Sequence, residues 1–178
     1  MKRCAYSLLL LALLAGCGKK ADEDQRPRID FGPNGGVTET DANNRPTGHV
    51  DATDWSLDGE WNEQELALFS SLNVPLNAAA SSTFNRQALR TLYPNPAGQL
   101  ATFPFEKPPG MALEIVVADQ HYQVISRTSL GSTTGGYGLQ LVLNADQYAN
   151  GQTYRLYYVF YAGSTLQAKG HGDIKISR

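Results

Sequence analysis

The chain has 178 residues, enough for one ordinary domain and too few for two well-cored ones joined by a linker. Its 15 basic and 17 acidic side chains leave a net charge of −2, which excludes the broadly basic surface of a nucleic-acid binder. Hydrophobic residues at 42% exclude a wholly disordered chain, and 17 Gly with 9 Pro favour strands and loops over a helical bundle.

Lys2 and Arg3 precede an apolar stretch, Ala5 to Ala15, broken only by Tyr6 and Ser7. As a helix this stretch is about 17 Å long, against about 30 Å for a bilayer core. It therefore reads as the core of a signal peptide covering residues 1–16, and not as a membrane span. Leu14-Ala15-Gly16-Cys17 then resembles the lipobox of bacterial lipoproteins. That resemblance implies cleavage before Cys17, a diacylglyceryl thioether on its sulfur and an acyl chain on its new amine. Two or more chains anchor a protein stably, so membrane lipid is the implied partner. Gly18 in place of Asp after the cysteine implies the outer membrane of the cell envelope. The alternative is an ordinary secretory peptide that leaves Cys17 as a free thiol. Cys4 departs with the peptide, so the mature chain forms no internal disulfide.

Residues 17–53 read as a lipidated cysteine followed by a flexible acidic linker, interrupted by Pro27, Pro33, Gly35, Gly36, Pro46 and Gly48. Residues 17–65 hold 12 acidic and 5 basic side chains, and residues 66–178 hold 5 and 8. At about 5–6 Å × √n, some 35 linker residues give an end-to-end distance of roughly 33 Å, enough to lift a domain clear of the headgroups. Asp22, Glu23 and Asp24 suit a solvated run better than a calcium site.

Residues 54–92 form a short helical and extended segment. Asn62 and Glu65 make a capping box, with Trp61 and Leu66 at the staple positions. Leu66, Phe69 and Leu72 give an apolar face at helical spacing, which predicts a helix from Trp61 to Leu72 that packs on a sheet. Trp55 and Leu57 belong to the same core, and a sugar-stacking platform made by Trp55 and Trp61 is the alternative. The carboxylates Glu60, Glu63 and Glu65 suit a helix start.

From residue 93 to the end, strand-like runs alternate with turn residues. Strands are predicted at 99–105, 112–119, 122–128, 137–143 and 153–161. One bulged strand or two follow at 164–169 and 173–177. Tyr154, Leu156, Tyr158 and Phe160 alternate with Arg155, Tyr157, Val159 and Tyr161, so both faces are bulky, as in a central strand. Core packing on one side and hairpin cover on the other is expected there. The fold class is mainly β: an Ig-like β-sandwich with one short N-terminal helix and a disordered acidic tether.

Tyr93-Pro94-Asn95-Pro96 opening such a domain resembles the C-terminal sorting domain of type IX secretion cargo. Val116-Val117-Ala118-Asp119 and Asn150-Gly151-Gln152-Thr153-Tyr154 fall in the expected order. The resemblance implies a β-domain that acts as an export signal and is cut away. Two features depart from it: Gln120-His121-Tyr122 stands where a glycine is usual, and the chain begins with a lipobox. The alternative is a lipoprotein domain that shares the fold and keeps it.

The best local candidate for a ligand site is His171 with Asp173, inside Lys169-Gly170-His171-Gly172-Asp173. Residues i and i+2 share a strand face, so the two side chains can converge. A bulge, in which both glycines bend the last strand, is the plainer reading. Metal binding would require His49 or His121 to join from far away, so no metal and no cofactor is expected. No nucleophile elbow accompanies His171, and the glycine-rich stretch 131–138 lacks the Lys and helix of a phosphate loop. The expected role is a non-catalytic binding or structural module, with a protein or glycan partner in the envelope and no nucleic acid. Export cargo is the second reading, and an enzyme resting on His171 and Asp173 the third.

Overall fold

The computed structural model describes residues 26–32, 35–81 and 84–178. The signal peptide, the lipobox and Cys17 lie outside them. Seven strands form: β1 (Ser56–Leu57), β2 (Leu100–Phe103), β3 (Ala112–Ala118), β4 (Val124–Leu130), β5 (Leu139–Val142), β6 (Thr153–Ala162) and β7 (Thr165–Lys175). One helix, α1 (Glu63–Ala67), and a 3-10 turn at Arg86–Ala88 accompany them. A five-stranded antiparallel sheet runs β1-β7-β6-β3-β4, and β2 pairs with β5 in a second sheet. The mainly-β fold class read from the sequence holds.

The main core lies between the two sheets. Leu113, Ile115 and Val117 of β3, with Leu156, Tyr158 and Phe160 of β6, face Phe103 of β2 and Leu141 of β5. Phe103 sits with its ring centroid 5.5 Å from Tyr158 and 5.4 Å from Trp55. The opposite face of the larger sheet is covered as well. Val116, Ala118, Tyr157 and Val159 meet Ile29, Trp61, Leu68, Phe69, Val74 and Leu76. The alternation on β6 therefore has a partner on each side, and the second cover is the α1 segment with Ile29, not a hairpin.

The predicted capping box is present. Asn62 Oδ1 accepts from Glu65 N, and Asn62 N donates to Glu65 Oε2, both at 2.9 Å. The helix is shorter than Trp61–Leu72, because Leu68, Phe69, Ser70 and Leu72 each donate to the carbonyl three residues back. Those bonds tighten the chain out of α geometry. Arg127 from β4 donates to the freed carbonyl of Leu68.

Two expectations are corrected. The linker expected over residues 17–53 is not free along the described part of its length. Ile29, Val37, Thr38 and Thr40 are buried, and Thr40 exchanges backbone hydrogen bonds with Asn95 at 2.7 and 3.0 Å. Residues 26–32 and 35–54 form a strap across the domain, held by sparse apolar contacts and long-range hydrogen bonds that no local pattern reveals.

The second correction concerns the glycines of β7. Pairing between β6 and β7 runs unbroken from Val159↔Lys169 to Thr153↔Lys175, so Gly170 and Gly172 make no bulge. The register shift sits nearer the hairpin, where Phe160 pairs with Ala168 but Tyr161 with Leu166. The glycines serve close packing. A Cβ on Gly172 would lie 2.2 Å from the Trp55 ring, and one on Gly170 would lie 2.1 Å from the Ser56 carbonyl oxygen. Trp55 reaches this place from a left-handed backbone, φ +58°. We expect Gly172→Ala to expel Trp55 from Phe103 and destabilise the fold by about 1–3 kcal/mol, the usual range for overpacking. Urea denaturation followed by tryptophan fluorescence checks this.

Candidate functional site

Three polar side chains of β7, Lys169, His171 and Asp173, stand in a row on the α1 side of the sheet, opposite Val159, Tyr157 and Arg155 of β6. Strand periodicity puts them on one face. The structure thus places His171 and Asp173 on a common face, as the spacing implies. It does not join them, because each is committed to a different partner.

Asp173 is 2% exposed and takes a two-pronged ion pair from Arg155, whose Nε and Nη2 lie 2.7 Å from its two oxygens. Fork-on-fork geometry of this kind is the strongest form of the contact. The strap closes over it: Arg155 Nη2 donates to the Asp30 carbonyl at 3.1 Å, and its guanidinium lies 5.3 Å from the Phe31 ring centre. Burial is the largest influence on Arg155 and would lower its pKa, but the hydrogen bonds and charge of Asp173 outweigh it and raise it.

Asp54, at the end of the strap, accepts the backbone N–H of Asp173 at 2.6 Å and that of Thr38 at 2.8 Å. Burial pushes its carboxyl up to about 7, and the charge of Asp173 adds to the push against those two N–H donors. Asn95, the centre of Tyr93-Pro94-Asn95-Pro96, is fully buried beside this pair. Its amide donates to the carbonyls of Asp173 and Thr38 and accepts from Lys175 N. The peptide bonds before Pro94 and Pro96 are both cis.

His171 turns instead to Asp58, with Nδ1 2.9 Å from both carboxylate oxygens. A carboxylate on one ring nitrogen orients the other, as in a general-base dyad. Ser56 stands directly opposite His171 in the register. Its Oγ, however, donates to the Thr53 carbonyl at 2.6 Å, so the hydroxyl is spent on the chain that precedes it. Asp58 also accepts the Trp61 indole N–H at 2.7 Å, which fixes the carboxylate from the α1 side.

Lys169 donates to Asn77 Oδ1 at 2.7 Å and lies 4.6 Å above the Trp61 ring. Burial lowers its pKa, against the nearby carboxylates Asp58, Glu65 and Glu60. A shallow cavity of about 270 Å³ opens beside it, lined among others by Asp58, Glu60, Asn77 and Leu166. Trp61, stacked on Phe69 and edge-on to Tyr157, is core and not an open platform.

Among the described residues no group of three or more His, Cys, Asp or Glu side chains is placed to hold a metal. Among them, too, no helix is long and apolar enough to cross a membrane. Asp119 caps its own turn, accepting from His121 N and Gln123 N, and Tyr122 takes the left-handed φ of +60° where a glycine was expected. The partners that sequence reasoning missed, Asp54, Asp58, Arg155 and Asn95, lie 18 to 119 residues from the β7 groups they bind.

No protein-family model matches the chain, and neither a curated protein nor a solved structure matches it. The fold and site define a mainly-β, two-sheet domain with a hydrogen-bonded strap over a buried ion pair.

Two outcomes follow. Arg155→Met leaves the buried Asp173 carboxylate unpaired and should cost about 3–5 kcal/mol in urea denaturation, whereas His171→Ala, at a partly exposed site, should cost far less. Asp54 binds its proton more tightly folded than unfolded. Its contribution is therefore fully present below about pH 3.8 and is lost as pH rises through about 7. The stability of the wild type relative to Asp54→Asn should fall from about pH 4 to about pH 7 and level off above, measured as the difference in urea midpoints.

Proposed function

We propose that this chain is a lipid-anchored protein of the bacterial envelope, attached through Cys17, whose domain is a non-catalytic binding or structural module at a membrane surface. The anchor rests on the lipobox Leu14-Ala15-Gly16-Cys17 behind an apolar stretch too short to span. Gly18 favours the outer membrane. The observation that carries the non-catalytic reading is how the polar side chains are used. Asp173 is spent on Arg155, His171 on Asp58, and the Ser56 hydroxyl on Thr53. A partner of protein or glycan nature in the envelope suits a module presented in this way.

The second reading, an export signal in residues 93–178, draws on Tyr93-Pro94-Asn95-Pro96. The surroundings of that motif weigh against a cut there. Asn95 is bonded to Thr38 and Thr40 of the strap, β1 pairs with β7, and Trp55 fills the main core. Cleavage near residue 90 would part all three from the sheet they stabilise.

The intact mass of the mature protein from the membrane fraction, beside a Cys17→Ser variant, tests both. We expect a chain that starts at Cys17, carries acyl chains and retains residues 91–178, with the variant lost from the membrane. A mass ending near residue 90 would make the β-domain an export tag. An unacylated Cys17 would remove the anchor.

A further inference from the structure

Because the strap is built into the domain, the reach from Cys17 is far shorter than composition implies. Eight residues, 18–25, separate Cys17 from Arg26. At about 3.3–3.6 Å per residue the nine steps span at most about 32 Å. The strap joins the domain at a definite place, for Ile29 N donates to the Gln120 carbonyl at 2.8 Å in the turn between β3 and β4. The other end of β3 lies at Met111, where Gly110 N donates to Ser132 O. Seven residues of strand put the two ends about 23 Å apart.

The near end carries an open groove of about 320 Å³ between α1 and β4, lined by Pro27, Ala67, Leu68, Tyr122, Val124 and Arg127 among others. Val124 is 47% exposed there, one of the few large hydrophobic side chains so placed. Among the described residues that line it there is no carboxylate. Arg127 stands at its edge, ion-paired with Glu114 at 3.0 Å and bonded to the Leu68 carbonyl, with its side chain 36% exposed. Ala67, Leu68 and Val124 beside Tyr122, with Gln64, His121 and Gln123 around them, match the bilayer interface, where apolar groups enter and aromatic rings sit at headgroup level.

We propose that the β3–β4 turn and the groove of Tyr122, Val124 and Arg127 rest on the lipid surface, so that the end bearing Tyr137 points away from the membrane. This rests on acylation of Cys17. The short leash and its point of attachment select lipid as the occupant, and the exposed Val124 beside Tyr122 suits its interfacial zone.

The test uses the full mature chain, purified from membranes, with Val124→Cys or Tyr137→Cys labelled by a fluorophore. With Cys4 removed and Cys17 alkylated, the new cysteine is the free thiol. The protein is reconstituted into phosphatidylethanolamine and phosphatidylglycerol vesicles that carry a headgroup-borne quencher. Quenching at position 124 is expected to exceed that at 137 at least three-fold. Equal quenching at the two ends, or more at 137, overturns the proposal. If Val124→Cys fails to fold, Gln123→Cys reads the same face under the same criterion. The intact mass of each sample separates the two failures. A chain with no acyl chains overturns the anchor itself, whereas an acylated chain with equal quenching overturns only the orientation.

Discussion

Two buried carboxyl groups, Asp173 and Asp54, lie close together with one guanidinium, Arg155, bonded to Asp173, and the placement of the strap depends on how that imbalance is settled. Removing an ion from water costs several kcal/mol even after relaxation, so each charge must find fixed partners. Asp173 takes the guanidinium fork. Asp54 takes two backbone N–H groups, one from β7 and one from the strap itself. Satisfying Asp54 therefore pins residue 38 to residue 173, and Asn95 closes the triangle by bonding both. The strap is held by polar groups that have few alternatives once buried.

Glycine and aromatic side chains complement one another on the other face of β7. With no Cβ at 170 and 172, the sheet surface has two hollows, and the Tyr158 hydroxyl and the Trp55 ring occupy them. Tyr158 donates to the Ser56 carbonyl at 2.6 Å, which ties β1 to the sheet edge. Trp55 accepts a left-handed backbone and leaves its indole N–H without a hydrogen-bond partner. Its contact with Phe103 and the sheet offsets those costs. Thus Gly170-His171-Gly172-Asp173 combines two uses, glycines turned to the core and polar groups turned to the strap. As a local string, it resembles an exposed catalytic loop.

The central strands were legible because alternation is a local property with a period of two. The residues of β3 and β6 carry it on both faces, and the pattern predicts a doubly covered sheet, but it assigns the second cover to a hairpin where the α1 segment and Ile29 stand. The capping box was legible for the same reason, since Asn62 and Glu65 satisfy each other within one turn. The strap was not. It has few apolar residues, its prolines and glycines read as linker, and its ordering comes from hydrogen bonds to residues far away in sequence. The pairing of His171 with Asp58 was hidden likewise, for their separation of 113 residues leaves no spacing to read.

The sequence by itself determined the class of the domain, the start of its helix, the central place of β6 and the shared face of His171 and Asp173. All of these follow from periodicities of two and about four residues that the backbone imposes wherever the chain goes. Only the tertiary structure decided which partner each charge takes, why β7 needs its glycines, and how the strap packs on the domain. Those outcomes depend on which distant groups become buried together. Burial makes an unpaired charge or an overlapping Cβ costly, and nothing local in the chain records that cost.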